Sequence, residues 1–142
     1  MPKRTSEAQW DGTLQDGKGR FWTGSGEVSG VFSAGTRFED QDGTNPEELI
    51  AAAHASCFSM ALAADLDAAG HRPEWVRTVA RLDLVKGEGG WEVAGIDLES
   101  QAQVPGVDRE EFLRIAEGTR VGCPVSKALA AVPIRLQASL SG

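Results

Sequence analysis

An apolar run from Leu49 to Ala64 constrains this chain more than any other feature. The run is broken only by His54, Ser56, Cys57 and Ser59. A helix that is apolar on every side must be covered on every side, and a chain of 142 residues has few other elements to cover it. The alanines of the run let another backbone approach closely, so we infer a homodimer in which two such helices lie side by side.

The residues that flank this run indicate where the helix begins and ends. Asn45 is a suitable N-cap, Pro46 suits the first turn, and Glu48 stands where a capping-box residue reaches back. Gly70 suits the position just after the last turn. These signals predict one long helix that begins at Pro46 and runs to Ala69.

The rest of the chain shows separate strand and helix patterns. Short apolar alternations predict a meander of strands in residues 8–33, and residues 77–86, 91–104 and 134–140 alternate as longer strands. The alternation slips around Gly95, which predicts a β-bulge. A second helix opens at Asp108 with another capping-box pattern, and a short third helix follows Pro124. This arrangement predicts an α+β fold with one domain over residues 1–142.

Charge and hydropathy exclude several classes of function. The formal net charge is −7 and no basic cluster is present, so the chain lacks the footprint of a nucleic-acid-binding protein. The apolar run is bounded by Glu47, Glu48 and Asp65 and is short for a bilayer span, so we expect no membrane insertion. No apolar stretch follows the basic N-terminal residues, so we expect no signal peptide and a cytoplasmic protein. Cysteine pairs in that compartment are more often catalytic or redox-sensing than structural.

Cys57 and Cys123 are the only two cysteines in the chain. Cys57 lies well inside the predicted helix, where a buried free cysteine usually acts as a small apolar residue and an activating cation must come from elsewhere. Cys123 precedes Pro124, which places it at a predicted N-cap where backbone N–H groups favour a thiolate. Local sequence therefore favours Cys123 as the more acidic thiol.

Metal binding is the weaker explanation for these residues. His54 and Cys57 have the i, i+3 spacing of two ligands on one helix face, and Cys123 could be a third. The fourth would be His71, which lies about 20 Å from Cys57 at the helical rise of ~1.5 Å per residue. We therefore expect no metal and assign His54 to packing or to an interface.

Glu47 and Arg37 have plain local explanations. A carboxylate in the first helical turn suits the helix dipole, and Glu47 lies about 15 Å along the axis from Cys57. Within one straight helix it cannot touch that thiol, so a chemical role requires that it orient a long cation or belong to the other subunit's site. Nothing local separates Arg37 from a solvated loop charge.

Taken together, four segments resemble the OsmC/Ohr family of organic hydroperoxide reductases, and the OsmC branch in particular. They are Thr36-Arg37-Phe38-Glu39, Gly43-Thr44-Asn45-Pro46-Glu47-Glu48-Leu49, the stretch from Ala52 to Leu62, and Gly122-Cys123-Pro124-Val125-Ser126, and Val104-Pro105-Gly106 also resembles the family's lead-in to its second helix. The resemblance covers nearly the whole chain in order and spacing. It implies an intertwined α+β homodimer with antiparallel sheets around long buried central helices.

The resemblance also implies a role for each candidate residue. Cys57 matches the peroxidatic cysteine, Cys123 the resolving cysteine, Arg37 the arginine that stabilises the thiolate, and Glu47 the glutamate that positions this arginine. The implied function is reduction of organic hydroperoxides in a stress response, with a dithiol reductant of the lipoyl type and no cofactor. Two alternatives remain open, which are a general thiol–disulfide exchanger and a non-catalytic stress protein that binds an apolar ligand at the dimer interface.

Overall fold

The computed structural model describes all residues from 1 to 142 and divides into two compact units, Met1–Leu49 and Ile50–Gly142. The first unit is built on an antiparallel sheet in the order β1–β2–β3. Its strands are β1 (Ser6–Asp11), β2 (Lys18–Thr23) and β3 (Ser29–Phe32). The predicted meander is therefore confirmed.

A short helix that the sequence did not predict follows β3. This helix, α1, spans Ala34–Phe38. The Ser33 hydroxyl accepts from the backbone N–H of Thr36 at 3.2 Å, and the Thr36 hydroxyl accepts from the N–H of Ser33 at 2.8 Å. This reciprocal pair is a capping box in which threonine replaces the usual Glu or Gln, so the common sequence signature does not reveal it. Arg37, which no local signal separated from a loop charge, lies in α1.

The long helix α2 spans Pro46–Ala68, within one residue of its predicted end. Asn45 caps its start, since the Asn45 side chain accepts from the N–H of Glu48 at 2.7 Å. The Glu48 carboxylate accepts instead from the Thr44 hydroxyl at 2.6 Å and does not complete the predicted capping box.

The end of α2 is a Schellman motif centred on Gly70. Gly70 has a φ of +86°, and its N–H donates to the Asp67 carbonyl at 3.0 Å. The N–H of His71 donates to the Leu66 carbonyl at 2.9 Å, which completes the pair of hydrogen bonds typical of this motif.

The second unit carries a sheet in the order β4–β5–β6. Strands β4 (Trp75–Gly87) and β5 (Gly90–Gln103) are antiparallel, and Ala94 is left unpaired, since Asp83 pairs with Gly95 and Leu84 with Val93. This is the predicted β-bulge. Strand β6 (Ile134–Leu140) runs parallel to β5, so this sheet is mixed. A parallel neighbour needs a crossover connection, and here it contains α3 (Arg109–Gly122) and α4 (Pro124–Ala128).

The core of the second unit is formed by α2, β5 and α3. Its buried apolar residues include Phe58, Leu62 and Leu66 from α2, Ile96, Leu98 and Ala102 from β5, and Phe112, Ile115 and Ala116 from α3. The α+β class, the long central helix and the antiparallel pairings of β1–β2–β3 and β4–β5 are thus as predicted, whereas the parallel pairing of β6 with β5 departs from the expected antiparallel sheets.

In the single chain, helix α2 is buried along one face only. Buried residues recur at every fourth position from His54 to Leu66. On another face Ala53, Ser56, Met60 and Ala64 are exposed. The helix is longer than the apolar run, and an 18-residue window within it has a mean hydropathy of 1.5. By length and composition it could cross a membrane, a property that core helices of globular proteins share.

Candidate active site

The two cysteines meet although 66 residues separate them in the chain. Their Sγ atoms are 3.3 Å apart, within hydrogen-bonding distance for sulfur. Cys57 lies on α2 and is half-buried, whereas Cys123 is buried, and both are free thiols. A disulfide needs an S–S distance of about 2.05 Å, so the two sulfur atoms need to approach by little more than about 1 Å.

Cys123 lies at a junction between two helices. Its N–H donates to the Thr119 carbonyl at 2.9 Å and ends α3. Its Sγ accepts from the N–H of Ser126 at 3.4 Å and caps α4, with Pro124 in the first turn. The predicted N-cap position of Cys123 is confirmed.

The surroundings shift the pKa values of the two thiols in opposite directions. Burial opposes ionisation of Cys123, but hydrogen bonds from the side chain and backbone of Ser126, from Cys57 and from the backbone of Val125 outweigh it and lower its pKa. Burial raises the pKa of the Cys57 thiol, with a further contribution from Cys123 that the backbone N–H of Val125 offsets in part. In this pair Cys123 is therefore the more acidic thiol, as its local sequence indicates.

Arg37 and Glu47 form a forked ion pair within the first unit. Arg37 Nη2 lies 2.6 Å from Glu47 Oε1, and Arg37 Nε lies 3.0 Å from Oε1 and 3.2 Å from Oε2. The glutamate side chain is only 12% exposed, whereas the arginine side chain is 38% exposed. Geometry of this kind fixes the plane of the guanidinium and leaves its outer face free to meet an anion.

The helices that carry this pair are tied to each other. Asn45 caps α2 through its side-chain oxygen, and its Nδ2 donates to the Thr36 carbonyl in α1 at 3.1 Å. One asparagine side chain therefore fixes the start of the helix that carries Glu47 and holds the helix that carries Arg37.

An apolar cavity of about 270 Å³ lies beside Arg37 in the first unit. The guanidinium carbon stands 5.3 Å from the centre of the Phe38 ring, a cation–π distance. Most of the residues around the cavity are aromatic or aliphatic, and they are Trp10, Leu14, Phe32, Ser33, Ala34, Arg37, Phe38 and Pro46. The cavity can accept an apolar group next to a fixed positive charge.

His54 and Ser126 form a contact that sequence reasoning missed. His54 is fully buried, and its Nε2 lies 2.8 Å from the Ser126 Oγ. The predicted packing of His54 is confirmed, but the serine was not singled out. Its position three residues after the Cys123 N-cap was the available signal. No three histidine, cysteine or acidic side chains come together as potential metal ligands.

Comparison with known sequences gives the same family throughout. The profile of the OsmC-like protein family matches residues 39–137. The chain is 43% identical over 129 residues to "Peroxiredoxin OsmC" of Escherichia coli (strain K12), covering 90% of each protein. It is 36% identical over 90 residues to "Organic hydroperoxide resistance protein" of Xanthomonas axonopodis pv. citri (strain 306), covering 61% of this chain and 60% of that protein.

Solved structures share the fold. The organic hydroperoxide resistance protein OhrB of Bacillus subtilis superposes with a TM-score of 0.74 at 26% identity, covering 95% of this chain and 98% of that one. An OsmC-like protein of Mycoplasma pneumoniae gives a TM-score of 0.78 at 13% identity and covers 99% of both chains, which is a likeness of fold alone.

Proposed function

Because this chain belongs to the OsmC family, we propose that it is a cysteine-based peroxidase that reduces organic hydroperoxides, and less efficiently inorganic ones. The observation that carries the proposal is the 3.3 Å separation of the only two thiols in the chain. Thiols at this distance can form a disulfide after small side-chain movements, as a two-cysteine peroxidase cycle requires.

The proposed cycle has three steps. The Cys57 thiolate attacks one peroxide oxygen, which forms a sulfenic acid and releases an alkoxide that takes up a proton to become an alcohol. Cys123 attacks the sulfenic sulfur and forms a disulfide with loss of water. An external dithiol of the lipoyl type then reduces the disulfide by exchange.

Arg37 and Glu47 have supporting roles in this proposal. Burial raises the pKa of Cys57, so this thiol needs a cation to ionise near neutral pH. Arg37, oriented by the carboxylate of Glu47, supplies that cation, and in a dimer it can come from either subunit. The cavity beside Arg37 offers space for the organic group of the peroxide.

The proposal includes the state and place in which the chain works. The exposed face of α2 is covered by a second copy of the chain, and the whole chain acts as one peroxidase domain. The acidic protein acts in the cytoplasm, where it contributes to the response to oxidative or osmotic stress.

Peroxide consumption tests the assignment directly. The purified protein is expected to reduce cumene hydroperoxide when dihydrolipoamide or dithiothreitol is supplied, and Cys57→Ser is expected to abolish turnover. Mass spectrometry after one equivalent of peroxide should find a Cys57–Cys123 disulfide. Retained turnover in Cys57→Ser would refute the assignment, and binding of an apolar ligand without peroxide consumption would favour a non-catalytic stress protein.

A further inference from the structure

The proposed cycle leaves a buried histidine without a role. His54 has no exposed surface, and its Nε2 contacts the Ser126 Oγ at 2.8 Å. Its other ring nitrogen, Nδ1, is buried without a hydrogen-bond partner. Burial of a polar nitrogen without a hydrogen-bond partner costs free energy, so an imidazole that makes only one hydrogen bond at this depth needs an explanation.

The orphan nitrogen determines which way the hydrogen bond runs. Burial lowers the pKa of His54, so the ring stays neutral and carries one proton. A buried N–H without an acceptor is rarer in proteins than an acceptor without a donor. The proton therefore belongs on Nε2, and His54 donates to the Ser126 hydroxyl oxygen.

This direction leaves the Ser126 hydroxyl proton free for Cys123. The Ser126 backbone N–H donates to the Cys123 sulfur at 3.4 Å, and the side chain of the same serine contributes to the lowered pKa of Cys123. With its hydroxyl oxygen occupied by His54, this buried serine can turn its hydroxyl proton toward the sulfur that its backbone N–H already contacts. The chain of donors runs from His54 through Ser126 to Cys123, which favours the anionic form of that sulfur.

We propose that His54 and Ser126 are positioning residues that hold Cys123 as the thiolate which resolves the Cys57 sulfenic acid. The inference rests on the proposed function. In this step an S–S bond forms, the S–O bond of the sulfenic acid breaks, and hydroxide leaves and takes up a proton to become water. The Cys123 sulfur is oxidised and the Cys57 sulfur is reduced, so the electrons balance within the pair.

A first test measures thiolate formation at Cys123 without any peroxide. In the reduced Cys57→Ser protein, the pH dependence of alkylation by iodoacetamide reports Cys123 alone. Adding Ser126→Ala should move the midpoint up by roughly one pH unit, and Ser126→Thr, which keeps the hydroxyl, should restore it. Ser100→Ala is the matched control, because Ser100 is an equally buried hydroxyl on β5. An unmoved midpoint in Ser126→Ala would overturn the proposal.

A second test separates the two chemical steps in the protein with both cysteines. His54→Leu should leave the oxidation of Cys57 by cumene hydroperoxide unchanged, slow disulfide formation roughly tenfold, and increase sulfinic acid at excess peroxide. His54→Gln keeps a side-chain N–H and should recover much of the rate. Equal slowing in both variants would assign His54 to packing and refute the relay. Absence of any Cys57 oxidation would instead refute the peroxidase, while the alkylation test would still decide the role of Ser126.

Discussion

At the scale of single residues, the chemistry of the site depends on which of the two thiols ionises first. Their surroundings lower the pKa of Cys123 and raise that of Cys57, so the pair alone ionises at Cys123 first. The proposed first step needs the opposite order. A cation outside the pair must reverse it, and this is the demand that the proposed role of Arg37 meets.

Replacement of that cation should reverse the order in which the thiols react. In Arg37→Ala the pKa of Cys57 should rise, so Cys123 becomes the first thiol alkylated as the pH increases, and peroxide turnover near neutral pH should fall by at least roughly tenfold. Peptide mapping after iodoacetamide treatment across a pH series measures both thiols. Arg37→Lys keeps the charge but not the forked hydrogen bonds, so its Cys57 alkylation midpoint and its turnover should lie between those of the wild type and Arg37→Ala. If Arg37 is only a surface charge, the Cys57 midpoint will not move in Arg37→Ala.

The glutamate should matter through the arginine. Glu47→Gln removes the charge and the forked geometry that fixes Arg37, so turnover should decrease while Cys57 remains oxidisable. Steady-state assays with cumene hydroperoxide measure the decrease. Glu48→Gln is the control, because this neighbour binds Thr44 instead, and an equal loss in both variants would indicate a general charge effect.

The sequence predicts contacts between residues that are close in the chain better than contacts between residues that are far apart. The N-cap position of Cys123 could be predicted because its partners are within three residues of it. The contact between His54 and Ser126 could not, since 72 residues separate them and no local pattern joins them. The proposed role of Arg37 came only from family resemblance, because one arginine in a short segment looks like any solvated charge.

At the scale of elements, helix α2 is defined by its two ends more than by its composition. Asn45 and Gly70 could be predicted as start and stop signals because caps use few residue types. The orientation of β6 could not be predicted, since the alternation of a strand is the same in parallel and antiparallel pairs. The crossover through α3 and α4 decides it.

Substitution of Asn45 should separate its two contacts. Asn45→Ala removes both the cap and the donor to Thr36, and should lower the free energy of unfolding by about 1 kcal/mol. Asn45→Asp keeps the acceptor and should recover most of this stability, but it loses the Nδ2 donor that holds α1. Urea unfolding measures the loss of the cap, and peroxide turnover measures the loss of the donor that holds α1. Equal stability of Asn45→Ala and the wild type would contradict the capping role.

Two glycines in helical surroundings should respond to alanine with opposite signs. Gly70→Ala places a side chain at a φ of +86° and should destabilise the protein by about 1 kcal/mol. Gly118 lies within α3 and nothing stands within 4 Å of an added Cβ, so Gly118→Ala should stabilise by about 0.5–1 kcal/mol. Thermal unfolding compares them, and a Gly70→Ala protein as stable as the wild type or more stable would contradict the Schellman motif at the end of α2.

At the scale of the whole molecule, one face of α2 is exposed in the single chain although the helix is apolar. Met60 is 73% exposed there, and small residues surround it. In the proposed dimer a second copy of the same helix covers this surface, because alanine and serine allow close backbone approach. The sequence alone led to this inference, since a helix that is apolar all round needs cover on both faces.

A charge on this face should therefore separate the proposed dimer. Met60→Arg is expected to shift the protein from dimer to monomer at micromolar concentration, measured by sedimentation equilibrium. Val121→Arg is the control, as Val121 is 60% exposed on a different helix and should leave the dimer intact. A wild-type protein that sediments as a monomer would contradict the proposed assembly.

The position of Cys123 at a helix junction gives oxidation a mechanical consequence. The same sulfur that would enter the disulfide also caps α4 by accepting from Ser126. In the proposed cycle, bonding to Cys57 turns this strong acceptor into a weak one, so each oxidation loosens the first turn of α4. The free energy lost there favours the dithiol form, which makes the disulfide easier for an external reductant to open. Part of the driving force for reduction of the disulfide would thus come from the fold itself. Faster hydrogen exchange of the Ser126 amide in the oxidised protein than in the reduced protein would show this loosening of α4.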